Sequence, residues 1–346
     1  MRRIPPAVWP LLGLLFAAAL AAAMPAATRA AADDAATCEQ ASGEVAIAAC
    51  TRGIASGDYG GHALAVLHYN RGINYRDKGD NDRAIADYDE AIRLDPNHAV
   101  AYFGRANAWY VKGEHDRALA DFSEAIRLDP TDGEFYNNRG DVWRAKGDHD
   151  RAIADYSAAI RLAPTDPVPL SNRGGSWHLK GDNDRAIADY DAALRLDPNH
   201  AIAYFGRANA WYFKGEHDRA LADFSEAIRL DPTDGDSYIN RGLTYATKGD
   251  HDRAIADYSA AIRLAPNKTA AFFNRGLAYA AKEDLERAIA DLSETIRLAP
   301  NHARALYVRG VARHDRGDAV GGDADIAAAK AIDADVARAF AGDETN

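Results

Sequence analysis

A unit of 34 residues recurs eight times, end to end, from Ala65 to Val336. A period of that length specifies stacked supersecondary units, each touching only its neighbours, and therefore no single closed core. The array leaves 64 residues in front of it and 10 behind, and below about 70 residues a separate domain rarely holds its own core without staples. An attached catalytic domain is thereby excluded. Nor does the array carry a nucleophile elbow, a phosphate loop, a His-Glu-x-x-His zinc helix or a cysteine pair at metal-ligand spacing. The reading is a non-enzymatic chain with no cofactor and no metal.

Each unit reads as a helical hairpin, which makes the fold class all-α. In the first unit Ala65 to Lys78 has helical composition, Gly79 punctuates it, and Asp82 to Leu94 is helical again until Asp95 and Pro96. The glycine recurs at Gly113, Gly147, Gly181, Gly215, Gly249 and Gly317, with Glu283 the exception; it supplies the left-handed conformation that ends a helix without steric cost. The proline recurs at Pro130, Pro164, Pro198, Pro232, Pro266 and Pro300 and disfavours helix just before it. Asp80 and Asp82 fall where a helix start leaves N–H groups unpaired. Gly72, Ala84 and Ala91 mark a close crossing, while Tyr75, Ile85, Tyr88 and Ile92 fill the rest of the face. One hairpin cannot bury that face, so neighbours must stack.

A 34-residue unit with Gly72, Tyr75, Gly79, Ala84, Tyr88, Ala91 and Pro96 at these spacings resembles the tetratricopeptide repeat. The resemblance covers Ala65 to about Val336. It implies an α-solenoid, a right-handed superhelix whose first helices line a concave groove and whose second helices cover the convex side. The family is a scaffold for many partners, so the resemblance is specific for fold and unspecific for function.

One departure from the family is systematic. Arginine stands where leucine is usual, at Arg71, Arg105, Arg139, Arg173, Arg207, Arg241, Arg275 and Arg309, and aspartate stands at a second-helix position usually aromatic, at Asp87, Asp121, Asp155, Asp189, Asp223, Asp257, Asp291 and Asp325. Eight bases matched by eight acids read as a ladder of ion pairs joining first and second helices, within a repeat or to the next one. An anion-binding groove would not need a matching acid in every unit.

The chain also contains a duplication. Repeats two and five, Ala99 to Asp132 and Ala201 to Asp234, differ only at Val100/Ile202 and Val111/Phe213, and the flanking repeats follow the same three-repeat block. The junction Pro164 to Pro169 holds three prolines in six residues and reads as the stiffest connector. Eleven histidines are present; His115, His149, His217 and His251 recur in the inter-helix turn, and His98, His200 and His302 between repeats. Each set is too widely spaced to converge on one ion, so they read as solvated turn residues.

The ends differ from the array. Residues 1–30 carry Arg2 and Arg3, then an uncharged stretch with an apolar heart at Leu11 to Ala23, the layout of a secretory signal peptide. An uncleaved membrane anchor is the alternative. Export removes Arg2, Arg3 and Arg29, so the net charge of −11 becomes −14, which argues against nucleic acid and, the anchor aside, against anionic membranes. Residues 31–64 form a degenerate capping hairpin, because Ala46 to Ile54 imitates Ala84 to Ile92. Cys38 and Cys50 within it read as one disulfide, with two unpaired thiols as the alternative. The last unit loses its pattern at Arg313, His314, Asp315 and Gly322 and reads as the other cap, followed by a tail, 337–346.

The family's groove positions fall on Phe103, Asn107, Tyr110 and Val111 in repeat two and on Phe205, Asn209, Tyr212 and Phe213 in repeat five, followed by Asn138 and Asn240 in the next units. The pairs Asn107 with Asn138 and Asn209 with Asn240 are similar to the asparagines of dicarboxylate-clamp domains. That clamp's basic residues are absent, with Phe103, Phe205, Val168 and Asn172 in their places, so a free C-terminal carboxylate is not the expected ligand. What remains is amides for an extended peptide backbone beside aromatic surfaces. The bland alternative is that asparagines recurring at Asn70, Asn138, Asn172, Asn240 and Asn274 satisfy inter-helix carbonyls. The function expected is a periplasmic or secreted scaffold binding protein or peptide segments. The other classes are a binder of small ligands or cell-wall fragments and a self-associating array, so an oligomer is open.

Overall fold

The computed structural model describes residues 26–338, with side chains from 32, and every regular element among them is a helix. The expected export segment lies outside the described residues except for its last five, which belong to α1 (Ala26–Gln40); α2 (Gly43–Ser56) completes the capping hairpin. The eight repeats follow as α3 (Gly61–Asp77) with α4 (Asn81–Leu94), α5 (Ala99–Val111) with α6 (His115–Leu128), α7 (Gly133–Ala145) with α8 (His149–Leu162), and α9 (Pro167–Leu179) with α10 (Asn183–Leu196). After these come α11 (Ala201–Phe213) with α12 (His217–Leu230), α13 (Gly235–Thr247) with α14 (His251–Leu264), α15 (Thr269–Ala281) with α16 (Leu285–Leu298), and α17 (Ala303–Asp315) with α18 (Ala319–Ile332). None of the described helices is long and apolar enough to cross a membrane.

The helices begin and end where the repeat chemistry dictates. The turn glycines sit at φ from +77 to +93° and Glu283, their one replacement, at +60°, a conformation that side chains other than glycine adopt only with strain. Asp80, Asp148, Asp182, Asp250, Asp284 and Asp318 cap the second helices, each accepting from the N–H three residues on. Repeats two and five carry Glu114 and Glu216 there, and the longer side chain makes no capping bond. Pro167 and Pro169, expected in a stiff connector, lie in the first turn of α9, where a missing N–H and a fixed φ are tolerated.

The chain divides into two compact units, one ending at Ala163 and the other starting at Pro164. The division falls at the boundary between the duplicated blocks. Within each unit every second helix packs on its own first helix and on the next one, and successive first helices also touch, so the odd-numbered helices form a continuous face. The crossings are close: a Cβ on Gly140 would lie 2.7 Å from the Tyr156 ring and one on Gly104 would lie 2.8 Å from Tyr88. Buried alanines at Ala84, Ala118, Ala152, Ala186, Ala220, Ala254 and Ala288 keep the same spacing.

The arginine–aspartate ladder is complete and lies within repeats. Each of the eight arginines donates through Nε and Nη2 to both oxygens of the aspartate sixteen residues on, at 2.7–2.8 Å. Nη1 also reaches back to the preceding second helix, Arg105 to Asp89, Arg207 to Asp191, Arg71 to Thr51, and Arg139, Arg241, Arg275 and Arg309 to Ser123, Ser225, Ser259 and Ser293. One guanidinium thus ties three helices, which a point charge could not do. At Asp87 burial pushes the carboxyl up, but hydrogen bonds from Arg71 and His68 outweigh it and hold it below the usual range. A second, exposed series joins repeats: Lys112 to Asp82, Lys146 to Asp116, Lys214 to Asp184, Lys248 to Asp218 and Lys282 to Asp252.

The ends are closed by the expected devices. Cys38 and Cys50 are bonded, with Cα atoms 4.7 Å apart, and pack with Ala49 and Leu67 so that the hairpin covers α3. At the other end Gly310 and Gly322 let α17 and α18 approach closely, since a Cβ on either would crowd the other's carbonyl, and Val336 folds back on Leu306 and Ala329.

Candidate functional site

The expected site residues lie on the face of odd-numbered helices, one set in each unit. In the first unit Asn138 Nδ2 on α7 donates to Asn107 Oδ1 on α5 at 3.2 Å, and Asn107 Nδ2 donates to the Phe103 carbonyl at 3.0 Å. The second unit repeats this, Asn240 to Asn209 at 3.3 Å and Asn209 to the Phe205 carbonyl at 3.0 Å. The asparagines therefore pair across adjacent first helices, and the carbonyl each pair satisfies is four residues back on the same helix, not on the neighbour. Each amide nitrogen has two hydrogens, and these bonds use one.

The room for Asn138 and Asn240 comes from the second helices. At Gly104 and Gly206 a Cβ would collide with the rings of Tyr88 and Tyr190 on the preceding second helices, whereas Asn138 and Asn240 follow Phe122 and Phe224. Asn172 and Asn274 follow Tyr156 and Tyr258, so a tyrosine on the preceding helix does not by itself demand glycine.

The aromatic residues divide into buried and exposed. Phe103 is half-buried, its ring 5.7 Å from Phe122 and 4.9 Å from Phe135, and Phe205 lies 5.9 Å from Phe224. Tyr110 and Tyr212 are half-buried beside His115 and His217, at 5.7 and 5.3 Å. The surface these sets offer comes mainly from the last residue of each helix, Val111 and Phe213, which are 68% and 67% exposed. Phe213 stands between His178 and Tyr212, at 5.2 and 5.6 Å, with exposed Leu179 on the adjacent first helix.

The inter-repeat histidines are not the fully solvated residues that the pattern suggests, and the turn histidines are half-buried. His98 is buried and packs at a tilt on Tyr69 at 5.2 Å, and His302 packs on Phe273 at 4.8 Å. Burial holds His98, His200 and His302 below the ordinary imidazole range. The sequence pattern places them at loops, but Tyr69 covers His98 and Phe273 covers His302. Among the described residues no three His, Cys, Asp or Glu side chains are grouped to hold a metal ion.

The two sets have unlike neighbours. In the first unit Arg144 Nη2 donates to Asp141 at 3.2 Å, and Asp141 accepts from the Tyr156 hydroxyl at 2.7 Å. In the second unit the equivalent first-helix positions are Leu243 and Ala246, and the Tyr212 hydroxyl meets Thr247 Oγ1 at 3.2 Å. The first set is flanked by charge and the second by apolar groups.

A family model described as tetratricopeptide repeat matches residues 69–133, 112–167, 180–235, 239–301 and 273–337. No curated protein is significantly similar to the chain. Similar solved structures include a tetratricopeptide repeat protein from Parabacteroides merdae ATCC 43184, 20% identical with a TM-score of 0.58 over 72% of this chain and 98% of that one. Another is a chain of the APC/C hetero-tetramer Cut9–Hcn1, 19% identical with a TM-score of 0.61 over 77% of this chain and 52% of that one. A third is pilF of Pseudomonas aeruginosa, 19% identical with a TM-score of 0.53 over 60% of this chain and 94% of that one. At these identities the likeness is one of fold.

Proposed function

From the premise that this chain belongs to the tetratricopeptide repeat family, whose solenoids are protein-interaction scaffolds as a class, we propose that it is an exported, non-enzymatic adaptor. It holds extended segments of cell-envelope proteins against its first-helix face. The observation that carries this reading is the pairing of exposed Val111 and Phe213 with half-used asparagine amides on helices fixed by the ladder. Amides bond an extended backbone without regard to its sequence, and apolar side chains beside them bury every second residue. Prefixed helices lower the ordering cost of binding.

The export part rests on the apolar N-terminal segment and the Cys38–Cys50 disulfide, since disulfides persist outside the reducing cytosol. An alkaline-phosphatase reporter fused after residue 40 is active only if the segment directs export, and an inactive fusion removes the envelope assignment. The binding part is tested by capture of envelope proteins on the purified chain and on Val111→Asp plus Phe213→Asp. The reading expects a discrete partner lost in the double variant while its helicity is unchanged. A partner retained at equal yield puts the contact elsewhere.

A further inference from the structure

The duplicated blocks differ at one buried position that changes what the second unit offers. Phe135 on α7 is 2% exposed and packs its ring 4.9 Å from Phe103. Its counterpart on α13 is Ser237, 1% exposed, whose small hydroxyl donates to Asp234 at 2.5 Å. In place of the ring the second unit has a cleft of about 210 Å³ bounded by Ile202, Phe205, Ala227, Asp231, Asp234 and Ser237. Every one of these except Ser237 and Ile202 is identical in the first unit. The cleft therefore traces to the loss of one phenyl ring.

In two other repeats the residue equivalent to Phe103 is also covered by a ring, supplied there by the histidine just before the next first helix. His98 covers Tyr69 at 5.2 Å and His302 covers Phe273 at 4.8 Å, as Phe135 covers Phe103. For Phe205 the one ring contact among the described residues is Phe224, on its other second-helix side. Ile202 at the mouth is 68% exposed. A vacancy lined by apolar atoms loses contacts on its whole wall, so a group that fills it gains them. The rim is acidic: Asp231 and Asp234 stand at the mouth, and hydrogen bonds from the Thr233 hydroxyl and N–H hold the Asp231 carboxyl below the usual range.

We propose that this cleft is a side-chain pocket of the second unit, which seats a phenylalanine of a bound segment with a lysine or arginine next to it in sequence. The occupant follows from the molecule itself. The first unit fills the same walls with a phenyl group of its own, and two carboxylates at the mouth favour a neighbouring cation. The inference rests on the reading that the first-helix face binds extended segments, and it makes the two units unequal: the second selects an aromatic residue, and the first, already filled by Phe135, does not.

The test uses the full exported chain and two probes, acetyl-(4-fluorophenylalanyl)-lysine amide and its glutamate analogue, followed by fluorine NMR. The pocket predicts saturable binding of the lysine probe at one site and weaker binding of the glutamate probe. Ser237→Phe copies the first unit and should lower affinity about tenfold or more, as expected when a buried aromatic anchor is excluded. Phe135→Ser should add a second site of similar affinity, so the assignment does not hang on one variant's folding. Wild-type binding that Ser237→Phe leaves unchanged overturns the pocket, as does the absence of saturable binding. If the probes fail while Val111→Asp plus Phe213→Asp still abolishes partner capture, the pocket falls and the adaptor reading stands; if both fail, the face itself is not the site.

Discussion

At the scale of the residue, the guanidinium–carboxylate pair sets the terms. Arg241 and Asp257 have side chains 20% and 9% exposed, so removing one leaves a nearly buried charge without its partner. Asp257→Ala should destabilise by about 3–5 kcal/mol. The double replacement Arg241→Leu with Asp257→Phe, which restores the family's usual apolar types, should cost far less, and urea unfolding of the two variants measures the contrast. Equal losses would mean that the charge plays no part. The inter-repeat histidines, buried at His98 and half-buried at His200 and His302, give the chain a pH response. Because burial lowers the folded imidazole values of His98, His200 and His302, the unfolded state binds more protons below about pH 6.5 and stability falls on acidification. Unfolding midpoints at pH 7.5 and 5.5 should therefore differ, and by less in His98→Phe plus His302→Phe. The repeat pattern alone shows that arginine and aspartate are matched in number. It does not show that Nη1 is free to reach a third helix, nor that Tyr69 and Phe273 cover His98 and His302, because both depend on stacking distances.

At the scale of the helix, the period makes almost every element legible, since each hairpin is specified by residues within 34 of one another. Glycine at the turn, aspartate at the cap and proline after the second helix predict the boundaries to within a few residues. The first hairpin is an exception, starting at Gly61 because the capping hairpin supports an extra turn that composition does not mark. Glu114 and Glu216 fail as caps, so Glu114→Asp should add about 0.5–2 kcal/mol, read as a higher melting temperature; no gain would mean that α6 starts without need of a cap. Cys38→Ala plus Cys50→Ala should cost about 2–4 kcal/mol. In an array of nearest-neighbour contacts the loss should stay near α1, α2 and α3, which hydrogen exchange resolves helix by helix. Protection lost evenly through α8 would contradict nearest-neighbour coupling.

At the scale of the whole molecule, two units carry the same asparagine pair and the same central hairpin, yet present unlike surroundings. The asparagine pairing was legible because Asn107 and Asn138 fall on family positions that face one another. The cleft at Ser237 was not, because a serine in a repeat reads as an ordinary small residue until Phe135 is seen filling the equivalent space. Exposure was also hidden: the sequence ranks Phe103 and Phe205 with Phe213, while packing turns the first two toward the second helices and leaves Phe213 in solvent. The central claim is that partners bind along the odd-numbered helices. It is tested most directly by photo-crosslinking in cells, with the reactive residue placed in turn at Val111 and Phe213 on the first-helix face and at Ala120 and Ala188 on exposed second-helix positions. The account predicts a shared protein adduct at Val111 or Phe213 and none at Ala120 or Ala188. Adducts confined to the second helices would contradict it.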